Sequence, residues 1–347
     1  MPLLLGIIGC GEVVRAKLIS ALGRIPAIRV AAVCDTDPQQ LRRVGPLVPS
    51  ARLYSDPAEL LEMQDLHAVA VCTPPASHPA LALAALLRGK PVYVEKPLAL
   101  NAAGCLSLLE AARSAALPAV TGFHMRFHRL VRQAREILCS GALGDIESIR
   151  FVWHSPRPDR GIPEWKTRRD SGGGSLVEIA VHHLDLARFL LSQELCEVFA
   201  FARDGVRHDE SAVLVARSSG GVLISAEFSE RSPHEIEFAV SGSRGLLRVD
   251  CLRFDGLEFR GPNAGAGSPS VRLSALCSAM RSLPAGLRAF RLGGDYRISY
   301  EAIWRHFLDA VQRNAEPEPG LYDGWRAALA VKAALESRRS GRPVALP

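Results

Sequence analysis

The sequence lacks the features that mark several protein classes. It has no apolar run of the ~18 residues that a membrane-spanning helix needs, and its first six residues carry no basic stretch of a signal peptide. Aromatic residues make up only 6% of the chain, and the Lys and Arg residues form no stripe with aromatics between them. The net charge of +6 therefore does not indicate a nucleic-acid partner. We expect a cytoplasmic protein that binds neither a membrane nor nucleic acid.

The cysteines form no recognisable site. Eight of them are scattered along the chain without a Cys-x-x-Cys pair, which fits neither a zinc site nor the disulfide framework of a small secreted domain. We predict buried free thiols in a reducing compartment, and no metal.

The remaining composition is that of a globular protein of two domains, since 347 residues exceed the ~100–200 of one domain. Residues 1–122 alternate short apolar runs with helical patterns, which predicts an α/β fold with a parallel sheet covered on both faces, as in a Rossmann domain. Strands are predicted at 3–8, 29–34, 67–72, 91–95 and 118–121, and helices at 12–23, 38–44, 56–62, 78–89 and 101–115.

The pattern changes in residues 123–347, where we predict an α/β domain with an open, largely antiparallel sheet. Strands are expected at 146–154 and repeatedly from 195 to 260. A low-complexity loop, expected to be mobile, covers 261–270. Helices are predicted at 126–140, from the glycines at 172–174 to about 191, at 299–314 and at 323–339.

Gly9-Cys10-Gly11 lies between the first predicted strand and helix. Gly9 would allow the tight turn, and Gly11 would let the backbone approach a pyrophosphate at the helix N-terminus. Val14 stands where this motif has a third glycine or alanine and must alter helix packing. A plain turn is the alternative. The strand–turn–helix context, with Asp35 24 residues after Gly11, favours dinucleotide binding.

The same segment predicts NAD rather than NADP. Glu12 and Val13 would place their N–H groups at the pyrophosphate, and the Asp35 carboxylate would bind both ribose hydroxyls. That carboxylate would repel a 2′-phosphate, and no basic residue follows it until Arg42 and Arg43, inside the next predicted helix.

Two further strands end in residues suited to a nicotinamide site. Thr73-Pro74 ends the third strand and is followed by His78, although an ordinary strand–helix turn explains these residues as well. Glu95-Lys96 ends the fourth strand. Lysine occurs only five times in this Arg-rich chain, so Lys96 points to a need for a compact ammonium group.

These motifs together resemble those of the glucose–fructose oxidoreductase/inositol dehydrogenase family. Glu95-Lys96-Pro97 matches its Glu-Lys-Pro, and a second match follows the glycines at 172–174: Leu176, Glu178, His182 and Asp185. The resemblance covers essentially the whole chain. The sequence departs from the family at Glu178, where Asp is usual, and at Ala180, where Gly is usual.

The resemblance implies a nicotinamide-dependent dehydrogenase of a sugar, a sugar derivative or a cyclitol, which forms a homodimer or homotetramer through an open sheet face. It implies catalytic roles for Lys96 and His182, with Glu178 orienting the substrate or the imidazole. Further cofactor contacts are implied for His78, Glu95, Arg126 and Trp165, and substrate contacts for His124, Arg126, Trp153 and Tyr300. Structural roles remain open for Arg126 and for Tyr300.

Helix geometry can be considered without the family. At ~100° per residue, Glu178, His182 and Asp185 fall within about a sixth of a turn, whereas His183 lies on a separate apolar face. We therefore predict His182 as the base and His183 as a core residue. A surface ion pair between His182 and Glu178 is the alternative.

Two other functions stay open. The same fold could reduce a carbonyl or imine or cleave a glycoside with redox assistance, and a non-catalytic nucleotide-binding regulator belongs to a different class. The presence of both Lys96 and His182 favours an enzyme.

Overall fold

The computed structural model describes residues 1–157, 162–262 and 269–347. The chain forms two compact units: residues 1–124, 170–172 and 300–329 form the first, and residues 125–169, 173–299 and 330–347 form the second. The first division lies close to the predicted boundary at 122–123. The predicted scheme differs at residues 300–329, which it assigns to the second domain.

The first unit contains a parallel six-stranded sheet with the order β3-β2-β1-β4-β5-β6. This order is that of dinucleotide-binding folds, and it confirms the predicted Rossmann domain. The strands are β1 Leu3–Ile8, β2 Ile28–Cys34, β3 Arg52–Tyr54, β4 Ala68–Val71, β5 Val92–Val94 and β6 Ala119–Thr121. The helices between them are α1 Ile19–Leu22, α2 Pro38–Val44, α3 Pro57–Leu61, α4 His78–Leu87 and α5 Ala102–Ala115.

Local sequence explains these elements. The central strands β4 and β5 are apolar and buried at every position, as expected of a parallel sheet covered on both faces. Helix α3 begins after Asp56, whose carboxylate accepts a hydrogen bond from the Ala58 N–H at 2.8 Å. Asn101 caps α5 in the same way by accepting from Gly104 N–H at 2.8 Å. The short edge strand β3 was not predicted.

Packing explains why residues 300–329 belong to the first unit. Trp304 stacks on Tyr93 of β5 with ring centroids 4.4 Å apart. The Thr121 hydroxyl donates to the Gly320 carbonyl at 2.9 Å at the end of β6. Two long helices pass through this part of the chain, α11 Asp295–Arg313 and α12 Leu321–Ser340. These long-range contacts carry no local sequence signal.

The second unit is built on an eight-stranded sheet with the order β13-β12-β11-β7-β10-β9-β8-β14, in which only β7 and β10 pair in parallel among the described strands. This confirms the predicted, mostly antiparallel sheet. The strands are β7 Ile146–His154, β8 Leu195–Arg203, β9 Ser211–Ser218, β10 Leu223–Ser229, β11 Glu235–Gly242, β12 Gly245–Asp250, β13 Leu257–Arg260 and β14 Val344–Ala345. The remaining helices are α6 Arg129–Cys139, α7 Glu164–Thr167, α8 Ser175–Glu178, α9 Ala180–Leu191 and α10 Pro269–Leu292.

Two expectations need correction. Residues 263–268 of the predicted loop lie outside the described residues, but a helix, α10, follows from Pro269 where none was predicted. All eight cysteines are free thiols, yet Cys139 and Cys277 are exposed instead of buried. Burial raises the pKa of the Cys10 and Cys34 thiols to about 12, so both stay protonated at neutral pH. No helix among the described residues is long and apolar enough to cross a membrane.

Candidate active site

The glycine turn after β1 has the shape of a dinucleotide cradle. Gly9 has a φ of +96°, and a Cβ there would lie 2.6 Å from the backbone of Cys72 and Thr73, so only glycine fits. A Cβ on Gly11 would meet no atom within 4 Å. This open space, next to helical N–H groups that have no intrahelical partner, can accept a pyrophosphate.

The helix that follows is unusual at the position of the missing third glycine. It is π-helical over Val14–Leu18 before α1 begins, and Val14 is fully buried. A π-helical turn is wider than an α-helical one. That Val14 alters the packing of the first helix stays a prediction.

Asp35 lies at the end of β2 and holds the glycine turn in place. Its Oδ2 accepts a hydrogen bond from Cys10 N–H at 2.7 Å, and its Oδ1 accepts one from Asp37 N–H at 2.9 Å. Asp37 itself caps α2 by accepting from Gln39 N–H at 2.8 Å. The carboxylate of Asp35 thus lies next to the glycine turn, whereas the carboxylate of Asp37 caps α2.

His78 joins two turns of the first unit. Its Nδ1 lies 2.9 Å from the Pro97 carbonyl oxygen and its Nε2 lies 2.8 Å from that of Thr73. The side chain is 1% exposed, and burial lowers the pKa of His78. Because backbone oxygens face both ring nitrogens, His78 positions the turns. The bonds support the alternative of an ordinary strand–helix turn, and contact of His78 with the cofactor stays a prediction.

Glu95 and Lys96 follow β5. The buried Glu95 carboxylate accepts from the Tyr93 hydroxyl at 2.9 Å and from the Lys96 backbone N–H at 3.2 Å. Burial raises the pKa of Glu95, and the charge of Lys96 opposes that rise. Lys96 is half-buried and follows the carboxyl end of β5, where ligands bind in parallel sheets.

His124 and Tyr300 lie in the core of the first unit. Their rings stack with centroids 4.0 Å apart, and both side chains are buried. A buried, stacked ring fits the structural alternative for Tyr300. Contact of either residue with the substrate stays a prediction.

The second unit carries the other motif, but its helix differs from the predicted one. Residues 175–191 form two helices, α8 and α9, separated at Ile179, whose φ of −107° is distorted from that of a regular helix. Glu178 ends α8 and His182 lies in α9, so the spacing calculated for one continuous helix does not apply. Gly174, at φ +108°, starts α8 where a Cβ would lie 2.8 Å from Asp209 Oδ2.

His182 and His183 both contact Trp153 at the end of β7. The His182 ring is nearly parallel to the indole (6°) with centroids 5.7 Å apart, whereas the His183 ring meets it edge-on at 5.2 Å. Burial lowers the pKa of His183 to about 3, consistent with the predicted core role. The prediction that only one face of this helix packs is wrong, because ten of the twelve residues of α9 are buried.

Glu178 forms an ion-paired cluster with two cations. Its Oε2 lies 2.7 Å from Lys166 Nζ and 3.2 Å from Arg157 Nη1, and Arg157 also pairs with Glu230 at 2.9 Å. Lys166 Nζ lies 5.1 Å from the ring centroid of Trp165. Lys166 was not predicted as a site residue, although the scarcity of lysine that pointed to Lys96 applies to it equally.

Arg126 is occupied by an ion pair. Its Nε and Nη2 donate to the two carboxylate oxygens of Asp185 at 2.8 and 2.6 Å, and both side chains are almost fully buried. This bidentate pair supports the structural alternative for Arg126. Contact of Arg126 with substrate or cofactor stays a prediction.

The structure thus gathers the predicted residues into two groups. In the first unit, the glycine turn, Asp35, Thr73-Pro74 and Glu95-Lys96 follow the carboxyl ends of β1, β2, β4 and β5. In the second unit, Trp153 stacks on His182, and Glu178 is paired with the lysine beside Trp165.

Comparisons with known proteins agree with this division. Residues 3–123 match the model described as an oxidoreductase family with an NAD-binding Rossmann fold. Residues 131–248 match the GFO/IDH/MocA C-terminal domain. The chain belongs to the GFO/IDH/MocA oxidoreductase family. It is therefore an oxidoreductase that uses NAD, and the resemblance and cofactor inferred from the sequence are confirmed.

Relatives cover the full length of this family member. An inositol 2-dehydrogenase of Burkholderia multivorans is 26% identical over 100% of this chain and 97% of the relative. A myo-inositol 2-dehydrogenase of Thermotoga maritima is 28% identical over 97% of both chains. The WlbA dehydrogenase of Bordetella pertussis, solved with NADH and UDP-GlcNAcA, has a TM-score of 0.84 at 19% identity, covering 100% and 98% of the two chains. This last likeness shows the fold alone.

Proposed function

We propose that this enzyme transfers a hydride between NAD and a secondary alcohol or ketone of a cyclitol or sugar. Full-length similarity to inositol 2-dehydrogenases, together with Lys96 and His182 at the motif positions, carries this proposal. NAD accepts the hydride in the oxidative direction.

The first unit would hold the cofactor. The N–H groups after Gly11 would bind the pyrophosphate, and Asp35 would accept hydrogen bonds from the ribose hydroxyls. The turn at Thr73-Pro74 would lie against the nicotinamide. The open space at Gly11 and the carboxylate fixed beside the turn fit this group.

The chemistry needs a base and a positive charge near the reacting oxygen. His182 would take the hydroxyl proton, because an imidazole titrates near neutral pH, and its parallel contact with Trp153 holds the ring plane. Lys96 would stabilise the developing alkoxide. Glu178, paired with Lys166 and Arg157, would accept a hydrogen bond from a substrate hydroxyl.

Turnover tests the proposal directly. The purified enzyme is incubated with NAD and a panel of cyclitols and sugars that includes myo-inositol, and NADH absorbance is followed while keto products are trapped. We expect one NADH per keto product, with turnover much reduced in Lys96→Ala. Binding of NAD without turnover across the panel would contradict the proposal and support a regulator.

We also propose that copies associate through the open face of the sheet of the second unit and that the enzyme works in the reducing cytoplasm. Val213, Val215 and Phe201 are exposed on the adjacent strands β8 and β9, an apolar patch typical of protein interfaces. The eight free thiols support a reducing compartment.

A further inference from the structure

Helix α10 presents a row of large apolar side chains to solvent. These residues, which we call the α10 stripe, are Leu273, Leu276, Met280, Leu283, Leu287 and Phe290. The least exposed is 48% exposed and the most exposed is 84% exposed. Together they form several hundred Å² of apolar surface, as much as the largest patch of an ordinary monomer, and such patches commonly mark interaction sites.

Two small residues of α10, Gly286 and Ala289, pack on the second unit. Gly286 is buried so tightly that a Cβ there would lie 2.5 Å from the Phe254 ring, and Ala289 is 4% exposed. A surface helix normally turns its large apolar residues towards the core. At the described positions of α10 the small residues are buried and the large apolar ones are exposed, so the stripe lacks a partner within the unit.

The spacing of the stripe points to another helix as that partner. Its members are separated alternately by three and four residues from Leu273 to Phe290, which is the a/d pattern of a coiled-coil seam. At ~100° per residue, the six side chains span about 100° of the helix circumference, as the a and d positions of a heptad do. Small or neutral residues flank its centre at Cys277, Ala279, Pro284 and Gly286.

We propose that the α10 stripe binds the same stripe of a second copy of this chain, with the two helices antiparallel. We assign heptad position a to Leu273, Met280 and Leu287, and position d to Leu276, Leu283 and Phe290. A twofold axis between Met280 and Leu283 would then place every residue at position a opposite a residue at position d of the second copy. Leu273 would then oppose Phe290, and Leu276 would oppose Leu287. The apolar area of the stripe is a large part of the ~800 Å² per partner in a standard interface, and a self-complementary patch is what a twofold dimer needs.

The charge of the helix gives the pairing a diagnostic salt dependence. Residues 269–292 contain four arginines and no acidic residue, so two copies repel each other electrostatically while their apolar rows attract. Added salt screens that repulsion and should strengthen the self-association. Attachment to an anionic membrane would respond in the opposite direction.

The test compares two exposed neighbours on α10 in the full-length enzyme. Met280→Glu places a carboxylate in the stripe, and Arg281→Glu places one just outside it. Sedimentation velocity is measured over a range of protein and salt concentrations, with thermal melts and NADH binding as folding controls. We expect Met280→Glu to weaken the association through the α10 stripe, raising the dissociation constant of that step at least about tenfold. Arg281→Glu should leave the same step in place.

Two results would overturn the proposal. In the first, the Met280→Glu variant binds NADH and melts like the wild type, and its self-association is unchanged. The other is flotation of the wild type with anionic phosphatidylserine vesicles, lost in Met280→Glu and weakened by salt, without a change in assembly. The second result would assign the stripe to a lipid surface.

Discussion

We expect cofactor choice to depend on one carboxylate at the end of β2. Asp35 is held by the N–H groups of Cys10 and Asp37, so its position is fixed before a cofactor binds. We expect NAD to be preferred over NADP, and we expect Asp35→Ser to reduce that preference. The carboxylate would accept hydrogen bonds from the ribose hydroxyls and repel a 2′-phosphate, and a serine side chain would do both less well.

The size of the effect follows from these interactions. A hydrogen bond to a charged group contributes about 1.5–3 kcal/mol, so its loss should lower kcat/KM for NAD by about 10- to 100-fold. Use of NADP should improve or stay unchanged, because a repulsion of about 1 kcal/mol is removed. Asp35→Ser also weakens the bonds to two amides, of which that of Cys10 is fully buried and that of Asp37 half-buried, so folding stability should fall by about 1–3 kcal/mol.

The assay compares kcat/KM for NAD and NADP at saturating substrate in the wild type, Asp35→Ser and Asp37→Ser. Asp37→Ser is the matched control, since it removes an equal charge two residues away. Serine can still cap α2 there, where Asp37 bonds Gln39 N–H. An NADP preference in the wild type, or an equal shift in both variants, would refute the role assigned to Asp35.

Three other predictions concern the proposed chemistry and its support. Lys96→Ala should lower kcat by about 10²–10³-fold while NADH binding, followed by fluorescence, persists; near-normal kcat would contradict the role of Lys96. His182→Asn should slow oxidation and remove the rising limb of the kcat/KM–pH profile, whereas His183→Asn should mainly lower stability; equal catalytic losses would contradict this distinction. The pKa of His183 is about 3 in the folded state and ~6.5 when unfolded, so the unfolded chain binds more protons between these values. Its contribution to stability should be complete above pH ~6.5 and fall, by up to ~1.4 kcal/mol per pH unit, as the pH drops towards 3. Urea unfolding at several pH values should show a shallower decline for His183→Asn, and identical slopes would count against a buried neutral ring.

The sequence alone was sufficient for the parts of this protein that depend on local order. Alternating apolar runs and helical patterns predicted the Rossmann sheet because strand and helix periodicities are local properties. The Gly9 turn was predictable too, since a tight approach to the next strand end restricts that position to glycine. The scarcity of lysine singled out Lys96 without any knowledge of its neighbours.

Periodicity was less reliable where a helix is interrupted or its surroundings are unknown. The predicted helix through Glu178 and His182 is broken at Ile179, and α9 is buried on all sides. The a/d spacing from Leu273 to Phe290 is visible in the sequence. It follows a Gly- and Ser-rich stretch, and no helix was predicted there. Spacing gives the face of a helix, and the rest of the fold decides what covers it.

Only the tertiary structure decided what the polar side chains contact. Arg126 meets Asp185 across 59 residues, and His78 reaches the Pro97 carbonyl across 19. Glu178 pairs with Lys166 from a separate helix. A buried charge or ring nitrogen must find a partner because leaving water is costly, and the partner is whichever group the packed chain brings within ~3 Å.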